Sequence, residues 1–277
     1  MENKTNDWDG DVFPDKPLPM FKYMDFKGCH DMLSYSKLMF SNPLTVNDPY
    51  DCFSGLVKFG YFREEIRNKF VRNNNLNFTE EQIQNILNNK ENRDIIDTVL
   101  KGLSNEKLKE LLNNRGISCF SEVNNNLLMW SHYAKSHTGV CIGFNCIELF
   151  NNLKVNCPRN ISLGKVKYTE SFESIDYFKF PAKAFSNWMY TKSIEWNYEN
   201  EVRITLNGID YNNEKHAFYS FNKKAINRVI LGSKMDPDEK AKIINICQQK
   251  YPNAEIVEMH LAKNSFKLIE FHLGGCK

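Results

Sequence analysis

Trp196-Asn197-Tyr198-Glu199-Asn200-Glu201-Val202-Arg203-Ile204 sets two carboxylates two residues apart at the mouth of an apolar run that reads as a β-strand. Strand residues i and i+2 share a face. Glu199 and Glu201 are therefore expected to project together, with Arg203 on the same face where the strand already runs. Two acids and a base beside Trp196 and Tyr198 suit several tasks. They can orient a substrate hydroxyl, stabilise a developing cation, or act as acid and base. The plain structural alternative is an edge strand whose charges face water.

Outward from this run, further strand-like segments fall at 21–23, 37–40, 117–120, 139–144, 166–168, 217–221, 229–231, 256–259 and 267–271. Helical segments are expected at 26–36, 127–135 and 236–250, the last opening on Asp236-Pro237. Residues 41–51 carry two prolines and two asparagines and read as an irregular loop. Strands that cluster, without alternating regularly with helices, predict an α+β fold.

Residues 61–115 change character, becoming rich in Asn, Lys, Glu and Leu. Ile83, Ile86 and Leu87 have one-face helical spacing, and Ile95, Ile96, Val99 and Leu100 repeat it. Thr79-Glu80-Glu81-Gln82 has capping-box form, and Ser104-Asn105-Glu106-Lys107 offers another start. The expectation is a single domain over 1–277. It has a loose arm at 1–18, a three-helix insertion at 61–115, and a β-rich core from 19–60 and 116–277.

Hydrophobic residues at 42 % and aromatics at 13 % of 277 residues support a packed globule. With 36 basic and 34 acidic side chains, the +2 net charge sets up no global field for nucleic acid. No apolar run approaches the roughly 18 residues of a membrane span. The polar start Met1-Glu2-Asn3-Lys4-Thr5-Asn6-Asp7 reads as no secretory signal. Eight scattered cysteines without a C-x-x-C pair read as reduced thiols in a cytoplasmic protein, with no metal expected. The glycine-rich phosphate loops, the G-x-S-x-G elbow and H-E-x-x-H are all missing, which excludes the common nucleotide-binding and hydrolase routes.

Met129-Trp130-Ser131-His132-Tyr133-Ala134 follows Cys119-Phe120-Ser121-Glu122. On a helix, Trp130 and Tyr133 share a face, which can stack on a base or a nicotinamide ring or pack as core. His132 titrates near neutral pH, and Cys119 is a possible nucleophile with His132 or His137 as base. Asn47-Asp48-Pro49 reads as a turn closed by Asx hydrogen bonds, or as a pair that holds a ribose or positions the neighbouring strand.

Several of these segments occur together and in order. They are Phe21-Lys22-Tyr23, Phe40-Ser41-Asn42-Pro43, Asn47-Asp48-Pro49-Tyr50-Asp51, Cys119-Phe120-Ser121, Met129 to Ala134, His137-Thr138-Gly139-Val140, and Lys192 with Trp196 to Arg203. The pattern, over about residues 20 to 232, resembles a large bacterial and phage-associated family known only as a domain of unknown function. More distantly, the aromatic-basic-aromatic opening and the Glu-x-Glu at a late strand are similar to DarT-like and other ADP-ribosyltransferases.

That resemblance implies a split, two-layer β core with a helical insertion, and NAD as substrate. It also implies a toxin or anti-phage effector that modifies a nucleic acid or protein, with an antitoxin or chaperone as possible partner. Glu201 would stabilise the ribosyl cation, and Glu199 would orient or deprotonate the acceptor. Lys22, standing where the family has His or Arg, and Tyr23 would hold the adenosine ribose or a phosphate. Ser121 and Tyr133 are both candidates for the family's second motif. Trp130 or Tyr133 would pack on nicotinamide, Asn47 and Asp48 would assist binding, and Arg203 would pair with the diphosphate or the glutamates. The competing readings are a nucleic-acid-binding or processing module, with Trp130 and Tyr133 beside Lys165, Lys167 and Lys179, and an inactive interaction module docking through 61–115.

Overall fold

The computed structural model describes residues 18–58, 64–74, 78–156, 160–177, 179–209, 211 and 214–275. The arm expected at 1–18 lies outside these residues except for Leu18, which packs against the core. In chain order the first elements are β1 (Pro19–Met24), α1 (Phe26–Tyr35), β2 (Lys37–Ser41), β3 (Val57–Lys58), α2 (Glu64–Asn74), α3 (Glu80–Asn88) and α4 (Lys90–Asn113). Next come β4 (Arg115–Ser121), α5 (Leu127–Tyr133), β5 (Val140–Asn145), α6 (Cys146–Asn156), β6 (Ile161–Lys165), β7 (Lys167–Thr169) and β8 (Ile175–Asp176). The chain closes with α7 (Pro181–Met189), β9 (Thr191–Ser193), β10 (Glu201–Asn207), β11 (His216–Ser220), β12 (Ile226–Leu231), α8 (Pro237–Lys250), β13 (Glu255–Leu261) and β14 (Leu268–Gly275).

Local chemistry sets the boundaries. Asp25 caps α1 by accepting from the Gly28 N–H, and Ser36 ends the helix in the left-handed region. Asp236 caps α8 ahead of Pro237 at the first helical position. Two helices went unexpected. In α6 the buried Cys146, Leu149, Phe150 and Leu153 form a helical face. Pro181 opens α7, which buries Ala184, Trp188 and Met189.

The fold is mixed α+β, built on one ten-stranded sheet. β4 lies along β10, which continues to β6. On its other edge β4 meets two strands at single positions: β2 at Ile117, and β1 at Ser121. The sheet therefore forks. One branch runs β2–β11 and the other β1–β5–β12–β13–β14. The β12–β13 ladder is parallel, and the others in this sheet are antiparallel. Val202 and Ile204 of β10 join Met20, Phe120, Ile142 and Phe144 in the main core. The alternate residues, Glu201 and Arg203, face the other way, as period 2 requires. That face carries two smaller clusters, one around Trp188 and Met189, the other around Tyr23, Met129 and Trp130.

The three helices α2, α3 and α4 enclose Val71, Ile83, Leu87, Ile96 and Leu100. The Thr79–Gln82 capping box is formed at α3. The start expected at Ser104 is absent, because α4 runs unbroken from Lys90 to Asn113. The four apolar residues within 95–100 are split between faces: Ile96 and Leu100 are buried, whereas Ile95 and Val99 are exposed. Ile96→Ala should accordingly destabilise by about 2–5 kcal/mol, and Ile95→Ala by under about 0.5 kcal/mol. Thermal or urea unfolding of the two variants checks this.

Candidate active site

Strand register brings the charged segments together. Ser121 of β4 stands between Phe21 of β1 and Glu201 of β10. Between the two bridges of the fork, residues 118–120 have no registered strand partner on that edge among the described residues. Buried backbone groups need partners. The Lys22 ammonium supplies one, donating to the Cys119 carbonyl at 3.0 Å and to Ser118 Oγ at 3.1 Å. It also lies 5.0 Å from the centre of the Phe120 ring. The fork thus creates the polar gap around which the site is built.

Glu199 and Glu201 do converge, but not by strand periodicity. Ile194–Glu199 is a 3₁₀ turn capped by Ser193, and the strand begins only at Glu201. Asn200 between them takes the left-handed conformation, φ 44° and ψ 53°, which Asn tolerates better than most residues. This single reversal turns Glu199 back beside Glu201. Ser121 Oγ holds the bend by donating to the Glu199 carbonyl at 2.6 Å.

Beneath them lies a buried charge network. Arg203, fully buried, donates through Nε to Glu201 Oε1 at 2.6 Å and through Nη2 to Glu201 Oε2 at 2.9 Å. The same Nη2 reaches Asp51 Oδ2 at 2.8 Å, and Nη1 donates to the Met189 carbonyl at 2.9 Å. Lys192 sits among the acids, 2.7 Å from Glu199, 3.4 Å from Glu201 and 3.5 Å from Asp51. Tyr133 donates its hydroxyl to Glu199 Oε1. Three carboxylates thus meet two cations directly, with the Lys22 charge close enough to act on Glu201, which makes burial of the charges tolerable.

The two glutamates are driven apart. Burial opposes the ionisation of Glu201, but Arg203 and Lys192 together outweigh it and hold the carboxyl down at about 2. Burial dominates at Glu199, and the charge of Glu201 adds to it. Its carboxyl is raised above the ordinary value despite Lys192 and Tyr133. Burial also pulls the Lys22 ammonium below its usual range. Environments that separate two neighbouring carboxyls assign one as a fixed anion and the other as a proton carrier.

A cavity of about 170 Å³ opens onto this pair. Of the residues expected at the site, Lys22, Tyr23, Asn47, Ser121, Tyr133, Glu199 and Glu201 line it. Three others do not. Trp130 is fully buried, donates Nε1–H to the Asn124 carbonyl, and stands edge-on to Tyr23, so it cannot stack on a ligand. Arg203 lies under Glu201 and is unavailable to a diphosphate; of its two expected roles it fills the pairing with the glutamate. Asp48 accepts from the Tyr50 N–H and makes the Asx turn. Sequence reasoning missed Lys192 and Asp51 as cavity residues, and Cys119, expected as a possible nucleophile, lines the cavity with them. Cys119 carries no nucleophile's signature, since burial raises its thiol well above the usual value. His137 stacks on Trp130 and bonds Ser131, away from Cys119. Among the described residues no group of three or more His, Cys, Asp or Glu side chains is placed to hold a metal ion. None of their helices is long and apolar enough to cross a membrane.

Residues 129–204 match the model of a family described as Protein of unknown function (DUF2971). The matched segment contains Met129, Tyr133, Lys192, Glu199 and Glu201 of the cavity lining, and Arg203 beneath it. It is narrower than the 20–232 span of the sequence pattern, and leaves out Phe21–Tyr23, Asn47–Asp51 and Cys119–Ser121. No curated protein and no solved structure matches this chain.

Proposed function

We propose that the cavity is the catalytic centre of an NAD-dependent ADP-ribosyltransferase, acting as a bacterial toxin or anti-phage effector on a nucleic acid or protein. One observation carries the reading: two carboxylates with opposed proton affinities face the same cavity. Transfer of ADP-ribose from NAD to an acceptor uses both kinds. Nicotinamide leaves with the bonding electron pair, and positive charge builds on the ribose. Glu201, locked as an anion, stabilises that charge. Glu199 takes the proton from the acceptor as the acceptor's lone pair forms the new bond to the ribose. Lys192 and Arg203 fix the geometry of the two carboxylates, and Tyr133 fixes the Glu199 rotamer. The fork at β4 is compatible with a split β core, the architecture that the resemblance implies.

Size limits what the cavity holds. Ligand clefts typically measure about 300–1,000 Å³, so a volume of about 170 Å³ suits the nicotinamide-ribose portion of the dinucleotide, with the adenosine end outside. Burial of Trp130 removes the aromatic face on which the competing nucleic-acid reading relied. Incubation with nicotinamide-labelled NAD tests the proposal. Protein-dependent release of nicotinamide is expected. Salt-sensitive oligonucleotide binding with NAD left intact would favour the nucleic-acid module instead.

The proton-carrier role has a pH signature. Activity should rise as Glu199 ionises, on a limb above the ordinary carboxyl value of 4.5. The Tyr133 hydrogen bond lowers the Glu199 pKa. Tyr133→Phe should therefore move the limb to higher pH while leaving the plateau within about tenfold. A limb that stays in place would remove Glu199 from the proton-transfer role.

A further inference from the structure

The cavity holds a third carboxylate that no step of the proposed transfer uses. Asp51 lines it together with Glu199 and Glu201, and is 7 % exposed. The loop between β2 and β3 is built to place this side chain. Asp48 Oδ1 accepts from the Tyr50 N–H at 2.9 Å, and the Asp48 carbonyl accepts from the Asp51 N–H at 3.1 Å. Cys52 follows in the left-handed region at φ 52°, which is uncommon for a residue with a side chain. Trp188, almost wholly buried, donates Nε1–H to the Cys52 carbonyl at 2.7 Å. A backbone of this kind persists only where its surroundings over-determine it.

Asp51 meets the same two cations as Glu201. Arg203 Nη2 lies 2.8 Å from Asp51 Oδ2 and 2.9 Å from Glu201 Oε2. Lys192 Nζ lies 3.5 Å from that aspartate oxygen and 3.4 Å from that glutamate oxygen. Two acids and two bases therefore alternate around a closed ring. Glu199 joins the ring at its Lys192 corner, at 2.7 Å. Groups in one such network couple, so attraction of Lys192 by one acid weakens its hold on the others. We propose that Asp51 is a positioning residue of this site, holding Lys192 toward the ring so that the ammonium does not pass wholly to Glu199. The inference rests on the proton-carrier reading of Glu199 and adds the group that sets how firmly the proton is held. The other titratable groups that act on Glu199 are Tyr133 from α5, Glu201 from β10, Tyr168 from β7 and the neighbouring Tyr198, while Lys22 of β1 lines the same cavity. Asp51 acts through Lys192. Without its charge, Lys192 serves two acids instead of three, and one like charge leaves the cavity. Both changes favour the ionised form of Glu199.

Carbon-13 titration of the Glu199 carboxyl in Asp51→Asn tests this. The midpoint should fall by about one pH unit or more, opposite to the shift expected of Tyr133→Phe. The acid limb of nicotinamide release should fall with it. Asp51→Glu, which keeps the charge, should stay closer to the wild type than Asp51→Asn does. In a Lys192→Met background the effect of Asp51→Asn should shrink, because its intermediary is gone. If Asp51→Asn loses the native circular dichroism, Asp51→Ser supplies the same readout. A purely structural Asp51 would lower the melting temperature of Asp51→Asn and leave the midpoint in place. That result, or a midpoint that rises, would overturn the proposal. A wild type that releases no nicotinamide, with the midpoint shifting as expected, would remove the transferase reading and leave the role of Asp51 standing.

Discussion

Arg203→Met should destabilise the protein by about 3–5 kcal/mol, the usual effect of removing one partner from a buried charge cluster. The arginine is fully buried and makes both close contacts to Glu201, the contact to Asp51, and a hydrogen bond to the Met189 carbonyl. Methionine fills much of the volume but compensates none of these acceptors. Lys192, 3.4–3.5 Å from both acids, is too committed to Glu199 to replace it. For a chain of this size the melting temperature should fall on the order of 10 °C. Adding Glu201→Gln to Arg203→Met should recover part of the loss, because it removes the carboxylate most dependent on the arginine. Calorimetry of the single and double variants checks both statements. Equal melting of Arg203→Met and wild type would mean that the network contributes nothing to the fold. The acid side has the matching sign. Glu201 is held down at about 2, so its contribution is present above the ordinary 4.5 and lost as pH falls toward 2. Glu199 is raised, so it acts oppositely: its contribution is present below 4.5 and lost as pH rises through its shifted value.

Glu201→Gln should lower nicotinamide release by on the order of 10²–10³, the usual loss when one electrostatic stabiliser is removed. The substitution is not silent in the fold, because it strips Arg203 and Lys192 of a shared counter-charge; a lower melting temperature should accompany it. Glu199→Gln separates the two effects. Its amide oxygen still accepts from Lys192, so stability should change less. Transfer to the acceptor should fall more than hydrolysis of NAD, because the acceptor's proton is what Glu199 takes. Rates of nicotinamide release and of ADP-ribose transfer, measured on the same preparations, distinguish the variants. If both keep wild-type rates, neither glutamate serves the chemistry.

β10 is legible because its apolar residues alternate with polar ones, and β5 because it is a short apolar run. α6 is equally legible in the spacing of Cys146, Leu149, Phe150 and Leu153. The convergence of Glu199 and Glu201 was anticipated for the wrong reason. Periodicity suggested a strand, whereas the left-handed Asn200 does the work at the end of a 3₁₀ turn, and a single residue's conformation leaves no periodic trace. Lys192 and Asp51 could not be assigned from sequence. Asp51 reaches Arg203 across 152 positions, and no local rule records such a contact. Trp130 shows the converse limit: helical spacing placed it on the face of Tyr133, but only packing decides that the indole faces the core.

The division of the two glutamates into fixed anion and proton carrier is tested most directly by carbon-13 NMR titration of the side-chain carboxyls, assigned through Glu199→Gln and Glu201→Gln. Glu199 should titrate above 4.5, with the midpoint moving when Tyr133 is changed to Phe. Glu201 should stay ionised to the lowest pH at which the fold survives. Both carboxyls titrating together near 4.5, or Glu201 taking up its proton before Glu199, would contradict the account.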